Sequence, residues 1–108
     1  MGAEIHLARQ AHDLIERGWS QHVDARAADG SAVHPCDDTA TSWSLLGALV
    51  AALERVAGAE GERPAFDELA RTCVRLADVV DSDSLEDWND DPARTHDEVL
   101  AALVEVAI

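Results

Sequence analysis

The sequence predicts a mainly α-helical fold: a compact bundle of about four helices, with a short β-hairpin between the first and the second. Three observations carry this. Apolar residues recur at three- and four-residue spacing in separate stretches of the chain. The 47% hydrophobic share leans on alanine, leucine and valine, with only 4% aromatic residues, and alanine and leucine favour helices. Glycine, proline and capping residues punctuate the intervals. A chain of 108 residues is expected to form one domain, 1–108, large enough to bury a core without disulfides or metal.

The first helix is read as Ala3 to Arg17, with Ile5, Ala8, Ala11, Leu14, Ile15 and Trp19 on one face and Gly18 as its C-cap. In VDARAADGSAVH the period changes. Val23, Ala25 and Ala27 alternate with Asp24 and Arg26, and Asp29-Gly30 is a hairpin turn signal, so a two-stranded ribbon is expected there. The second helix follows, with Asp37, Asp38 or Thr39 expected to cap it. Trp43, Leu46, Leu49, Val50, Leu53 and Val56 form its broad apolar face. LLGALVAAL is so uniform that this helix is expected to be the most buried, with the others packed around it. Gly47 inside it costs about 1 kcal/mol against alanine, and a close helix crossing would explain its place.

GAEGERP is a loop. The third helix runs from about Pro64 to Val79, with Phe66, Leu69, Ala70, Cys73, Val74, Leu76 and Ala77 as its inward stripe. Ser84 is placed to cap a short helical turn over SLEDWND. Thr95 with Glu98 is a capping box that starts the last helix, whose Val99, Leu100, Leu103, Val104 and Ala107 are expected to face inward.

The formal net charge is −14, and the eight basic residues are all arginines, scattered along the chain. A phosphate backbone or an anionic membrane should repel such a protein, so neither is an expected partner. No stretch approaches the roughly 20 apolar residues of a membrane span. The opening MGAEIHLARQ shows no apolar signal core and no myristoylation pattern, so the cytoplasm is the expected location.

Cys36 and Cys73 make neither a disulfide framework nor a zinc knuckle; Cys73 lies on an apolar stripe and reads as a small buried hydrophobe. HPCDD groups His34, Cys36, Asp37 and Asp38, yet no second cluster at ligand spacing accompanies it. DSDSLEDWNDDP matches a calcium loop in acid density alone: Glu86 stands where such a loop needs glycine, and Pro92 where it needs a bidentate glutamate. No metal and no cofactor is therefore expected. His6, His12, His22 and His96 are scattered and read mostly as solvated surface residues. No nucleophile elbow, phosphate-cradling glycine loop or zincin helix is written in the chain, and whether it is an enzyme stays open.

The stretch WNDDPART remains. In one reading it is a capped corner: Ser84 and Thr95 cap helices, Asp90, Asp91 and Pro92 make the turn, Asn89 and Arg94 lie on its solvated surface, and Trp88 and Leu85 plug the core. In the other it is a binding site. Asn89 and Asp90 then offer donors and acceptors beside an indole, and Arg94 pairs with an acid or holds an anion at a helix start. The candidate binding residues on this view are Trp19, His22, Trp43, Trp88, Asn89, Asp90 and Arg94.

The order ARQAHDLIERGWSQ, ADG, TSWSLLGAL, WNDDPARTHDEVLAAL resembles a family of small uncharacterised proteins, mainly from actinobacteria and their phages, known only as a domain of unknown function. The resemblance covers nearly the whole chain. Its most specific parts are Gly18-Trp19, Trp43 with Leu46-Gly47-Ala48, and Trp88-Asn89-Asp90 through Arg94-Thr95. The family pattern often has a cysteine after the second tryptophan, where this chain has Ser44. The resemblance implies no activity; it implies that the tryptophans and the WND corner form one recurrent design. Three functional classes follow from the residues. The first is a binding or regulatory protein that docks a protein partner; the second, an enzyme or small-molecule binder with a tryptophan-lined pocket; the third, a nucleic-acid mimic that occupies a DNA-binding protein. The oligomeric state is not written in the sequence.

Overall fold

The structure, a computed structural model, describes residues 3–107, without the side chains of residues 3–6 and 60. Met1 and Gly2, at the start of the stretch read above for a leader or lipidation signal, and the side chains of Ile5 and His6 lie outside the described residues. The elements in chain order are α1 (Ala3–Arg17), β1 (Ala25–Ala27), β2 (Ala40–Trp43), α2 (Leu45–Glu60), α3 (Glu62–Val80), α4 (Leu85–Asp90) and α5 (His96–Ala107). The described residues thus form a mainly helical bundle with a short antiparallel ribbon between α1 and α2, the fold class predicted.

The hub of the bundle is α1, not α2. It packs against α2, α3 and α5, and Leu7, Ala8, Ala11, Leu14 and Ile15 are all buried. Small residues at the crossings let three neighbours approach one helix. α2 packs against α1, α3 and the short α4, burying Leu45, Ala48, Leu49, Ala52 and Val56. Leu46 and Leu53 are half-buried against the core, whereas Val50 faces outward. In α5, Val99, Ala102, Leu103 and Val106 are buried and Val104 is exposed, contrary to its expected inward place.

The ribbon pairs differently from the expectation. Asp29-Gly30 does turn the chain: Gly30 has a positive φ of 88°, and the Asp29 carboxylate accepts from the Ser31 amide and hydroxyl. The returning arm, however, makes only a bridge from Ala32 to Arg26. The partner of β1 is β2, in a register of Ala25 with Trp43 and Ala27 with Ala40, broken by a bulge. Trp43 is therefore a strand residue. The acids and threonine expected to cap α2 lie before β2, where Asp37 closes a local turn on Thr39. The cap is Ser44, whose hydroxyl accepts from the Gly47 amide at 3.0 Å. Gly47 is required by close approach, as expected, but of a loop rather than a helix. A Cβ there would run into the backbone carbonyl of Asp24.

α3 departs most from expectation. Its buried line is Ala65, Glu68, Thr72 and Leu76. Leu69 and Cys73 are half-buried, while Phe66 and Val74 are 56% and 64% exposed. The apolar stripe of this helix is centred on the edge of the bundle and not on the core. Glu68 is the charged member of that buried line. Its carboxylate lies fully inside and accepts from the Leu7 amide at 2.8 Å, near the N-terminal end of α1, where the helix dipole favours an anion.

Candidate functional site

The WND corner begins with α4. Ser84 caps it by accepting from the Asp87 amide at 3.1 Å, and the helix ends at Asp90, just before Asp91-Pro92. This places Asn89 on the inward side, 1% exposed, and corrects the expectation of a solvated turn. Its side-chain oxygen accepts from the Trp19 indole at 2.8 Å and from the Leu45 amide at 3.0 Å. Its amide nitrogen donates to the Ser20 carbonyl at 3.2 Å and to Asp90 at 3.0 Å. Both lone pairs and both protons of the amide are thereby satisfied.

The loop after α1 is tied to the same helix end from its own side. Gln21 donates to the carbonyls of Asn89 and Asp91, each at 2.9 Å, and the His22 amide donates to Asp90 at 2.8 Å. The Trp19 ring stacks on His96 at a centroid distance of 6.1 Å. His96, expected to be solvated, is half-buried and hydrogen-bonds the Ile15 carbonyl through its ring. The His22 side chain is 70% exposed, with Nδ1 4.0 Å from the Asp90 carboxylate.

Trp88 and Arg94 form a second unit. The guanidinium lies 4.0 Å from the centre of the Trp88 ring, and its Nε donates to the Trp88 carbonyl at 3.0 Å. Arg94 also pairs with Glu98 at 3.3 Å. Glu98 closes the predicted capping box, accepting from the Thr95 amide at 2.9 Å while its own amide donates to the Thr95 hydroxyl. The Thr95 amide, with the Thr95 hydroxyl and Arg94 behind it, holds the Glu98 carboxyl below the usual carboxylate range.

The structure therefore brings Trp19, Asn89, Asp90 and His22 together, and Trp88 with Arg94, but sends the Trp43 indole elsewhere. Trp43 meets the loop after α1 through its backbone, exchanging hydrogen bonds with Gly18 and Ser20. Its indole N–H turns to the Pro35 carbonyl at 2.9 Å. The hollow beside the corner, between His22, Ser44, Glu86 and Asn89, holds about 20 Å³, room for a single water.

A larger cleft of about 430 Å³ opens on the Trp43 side, lined by Leu14, Arg17, Cys36, Trp43, Glu54 and Arg55 among others. Burial, followed by a hydrogen bond to Glu54 and the charge of that acid, pushes the Cys36 thiol up to about 11. The thiol is thus held protonated near neutral pH, the form that is a poor nucleophile. Sequence reasoning missed this cleft because Arg17, Glu54 and Arg55 read as solvated helix positions, and they are exposed; only the folded loop of residues 35–40 makes them one wall of a hollow. It also missed Ser20, Gln21 and His96. The signal for these was the tryptophan directly after a helix-ending glycine, a large ring that must pack somewhere near. Among the described residues, no group of three or more His, Cys, Asp or Glu side chains is placed to hold a metal ion.

The sequence matches a family of unknown function, DUF6197, over residues 3–108. The chain belongs to this family. No curated protein and no solved structure matches the chain. In this member of DUF6197, the segments around Gly18-Trp19, Trp43 and Asn89 converge in space. A Cβ at Gly18 would meet the Thr41 carbonyl at 2.5 Å, Trp43 pairs with the backbone around Trp19, and Asn89 joins Trp19 to the start of α2.

Proposed function

We propose that this chain is a small acidic cytoplasmic protein that acts by docking a protein partner, and that the outer face of α3 is the docking surface. The observation that carries this reading is the exposure of Phe66 and Val74 on the apolar stripe of that helix. Single exposed apolar residues are ordinary, but a helical stripe turned outward fits recognition. The side chains of the WND corner support it indirectly, because Asn89, Gln21 and Arg94 are already engaged inside the fold. Among the described residues no helix is long and apolar enough to cross a membrane, and both cysteines are free, which fits a reducing compartment.

The test is capture by the wild-type chain and by Phe66→Glu, followed by titration of any purified partner. The reading expects a partner that binds the first and not the second. Binding that ignores Phe66 and Val74 would end it.

A second reading, a small-ligand protein, rests on the cleft beside Trp43, where two arginines flank an indole. A thermal-shift screen with small carboxylates and phosphates checks it, since a ligand of the native state raises the melting temperature.

A further inference from the structure

We infer that the occupant of the α3 face is a second copy of this chain, paired antiparallel along α3; this rests on the reading of α3 as a docking surface. Two observations lead from a protein partner to a copy.

The first is the apolar pattern. Phe66, Ala70 and Val74 follow one another at four-residue spacing, and all three are exposed. The smallest side chain stands in the middle. A two-fold axis at Ala70 sets the alanines against each other, where two backbones can come close, and brings Phe66 of each copy level with Val74 of the other. An isologous contact needs this kind of self-complementary patch.

The second is charge. The chain carries −14, so two copies repel at most approaches. The exposed charges of α3 are the exception: Glu62, Asp67 and Asp78 are matched by Arg63, Arg71 and Arg75. The same antiparallel register sets Arg63 within one residue of Asp78 of the copy, and Asp67 between Arg71 and Arg75; Glu62 is also level with Asp78, but about 160° round the helix from it, on the other flank. A parallel pairing would set each charge beside its like. The apolar and the ionic patterns therefore call for the same axis. An interface of one helix from each copy is small, so the association belongs to the weak class.

Sedimentation equilibrium of the full chain at roughly 0.3 M salt, where long-range repulsion is screened, is the experiment. We expect a reversible monomer–dimer equilibrium. Phe66→Glu and Val74→Glu should be monomeric, with melting temperatures equal to wild type at dilutions where wild type is itself monomeric, since both positions are exposed. Arg63→Asp and Asp78→Arg should each weaken the dimer on the order of tenfold, because each places like charges opposite twice in the interface. Mixed in equal amounts, these two variants should recover a dimer, now a heterodimer, since the swapped charges again face opposites. A dimer indifferent to Phe66→Glu would overturn the assignment, and so would a mixture no tighter than its components. A wild type that stays monomeric into the millimolar range also overturns it. If that monomer still captures a Phe66-dependent partner, the broader reading of α3 stands; if it captures none, both fall.

Discussion

The Trp19 indole donates to the side-chain oxygen of Asn89 at 2.8 Å, across 70 residues of sequence. This bond joins the end of α1 to the end of α4, and the same oxygen also receives the first amide of α2. One buried carboxamide therefore fixes three helix ends at once. Asn89→Ala would leave the Trp19 and Leu45 donors without their protein acceptor, at a side chain that is almost wholly buried. The expected cost is about 2–6 kcal/mol, from an unsatisfied-donor penalty of roughly 1–3 kcal/mol each. Urea unfolding measures it. Trp19→Phe keeps most of the ring and removes one donor, so it should cost less. A double-mutant cycle should find the two sites coupled by about 0.5–3 kcal/mol. A loss below about 0.5 kcal/mol for Asn89→Ala, the ordinary surface value, would return Asn89 to a solvated turn.

Much of this was legible in the sequence, for reasons that separate the successes from the failures. The bounds of α1, the Ser84 cap and the Thr95–Glu98 box depend on local chemistry, and the local residues state it. The helical class followed from apolar spacing in the same way. What failed depends on long-range choice. On α3, Leu76 belongs to the buried line while Phe66 and Val74 do not, and the sequence shows one continuous stripe. The edge that turns inward is the one that carries Ala65, Thr72 and Leu76 together with Glu68, whose carboxylate meets the Leu7 amide from far along the chain. Asn89 failed for a related reason. A polar residue beside acids and a proline reads as solvated until a tryptophan from far away in the chain claims its oxygen.

Two glycines in α2 give opposite expectations for one substitution. A methyl group at Gly58 would meet nothing within 4 Å. Gly58→Ala should then stabilise by about 0.4–1 kcal/mol, chiefly by restricting the unfolded chain. At Gly47 the same methyl group would strike the Asp24 carbonyl. That carbonyl also accepts from the Ser44 amide at 3.0 Å, so it is not free to withdraw. Gly47→Ala should destabilise by about 1–3 kcal/mol, the usual range for overpacking, despite alanine's better helix propensity. Thermal melts of the two variants check the contrast, and equal shifts of the same sign would refute it.

The capping box at the start of α5 has an acid limb. The folded Glu98 carboxyl titrates below its ordinary value of 4.5. A group depressed on folding contributes stability above its unfolded pKa and loses it as pH falls through the folded value. The advantage of wild type over Glu98→Gln should therefore be full near pH 6–7 and shrink below about 4.5. Paired melts across that range measure the difference. An advantage that persists unchanged into strong acid would mean that the carboxylate charge is not what holds the cap.

Cys36 supplies the last expectation. Its thiol is pushed up to about 11, first by burial and then by Glu54. Thiolate, not thiol, reacts with iodoacetamide. In a Cys73→Ala background, which isolates Cys36, alkylation should be slow at pH 8 and rise through an inflection near 11, against roughly 8.5 for a free cysteine. The chain suits this measurement because it contains neither lysine nor tyrosine, so few other groups titrate in that window. Glu54→Gln removes the nearby charge and should shift the inflection downward. The shift should be incomplete, because burial, the larger cause, remains. An inflection at the free-thiol value in the folded protein would show that the cleft beside Trp43 is open to water at Cys36. A full return to that value in Glu54→Gln would instead make the acid, and not burial, the governing cause.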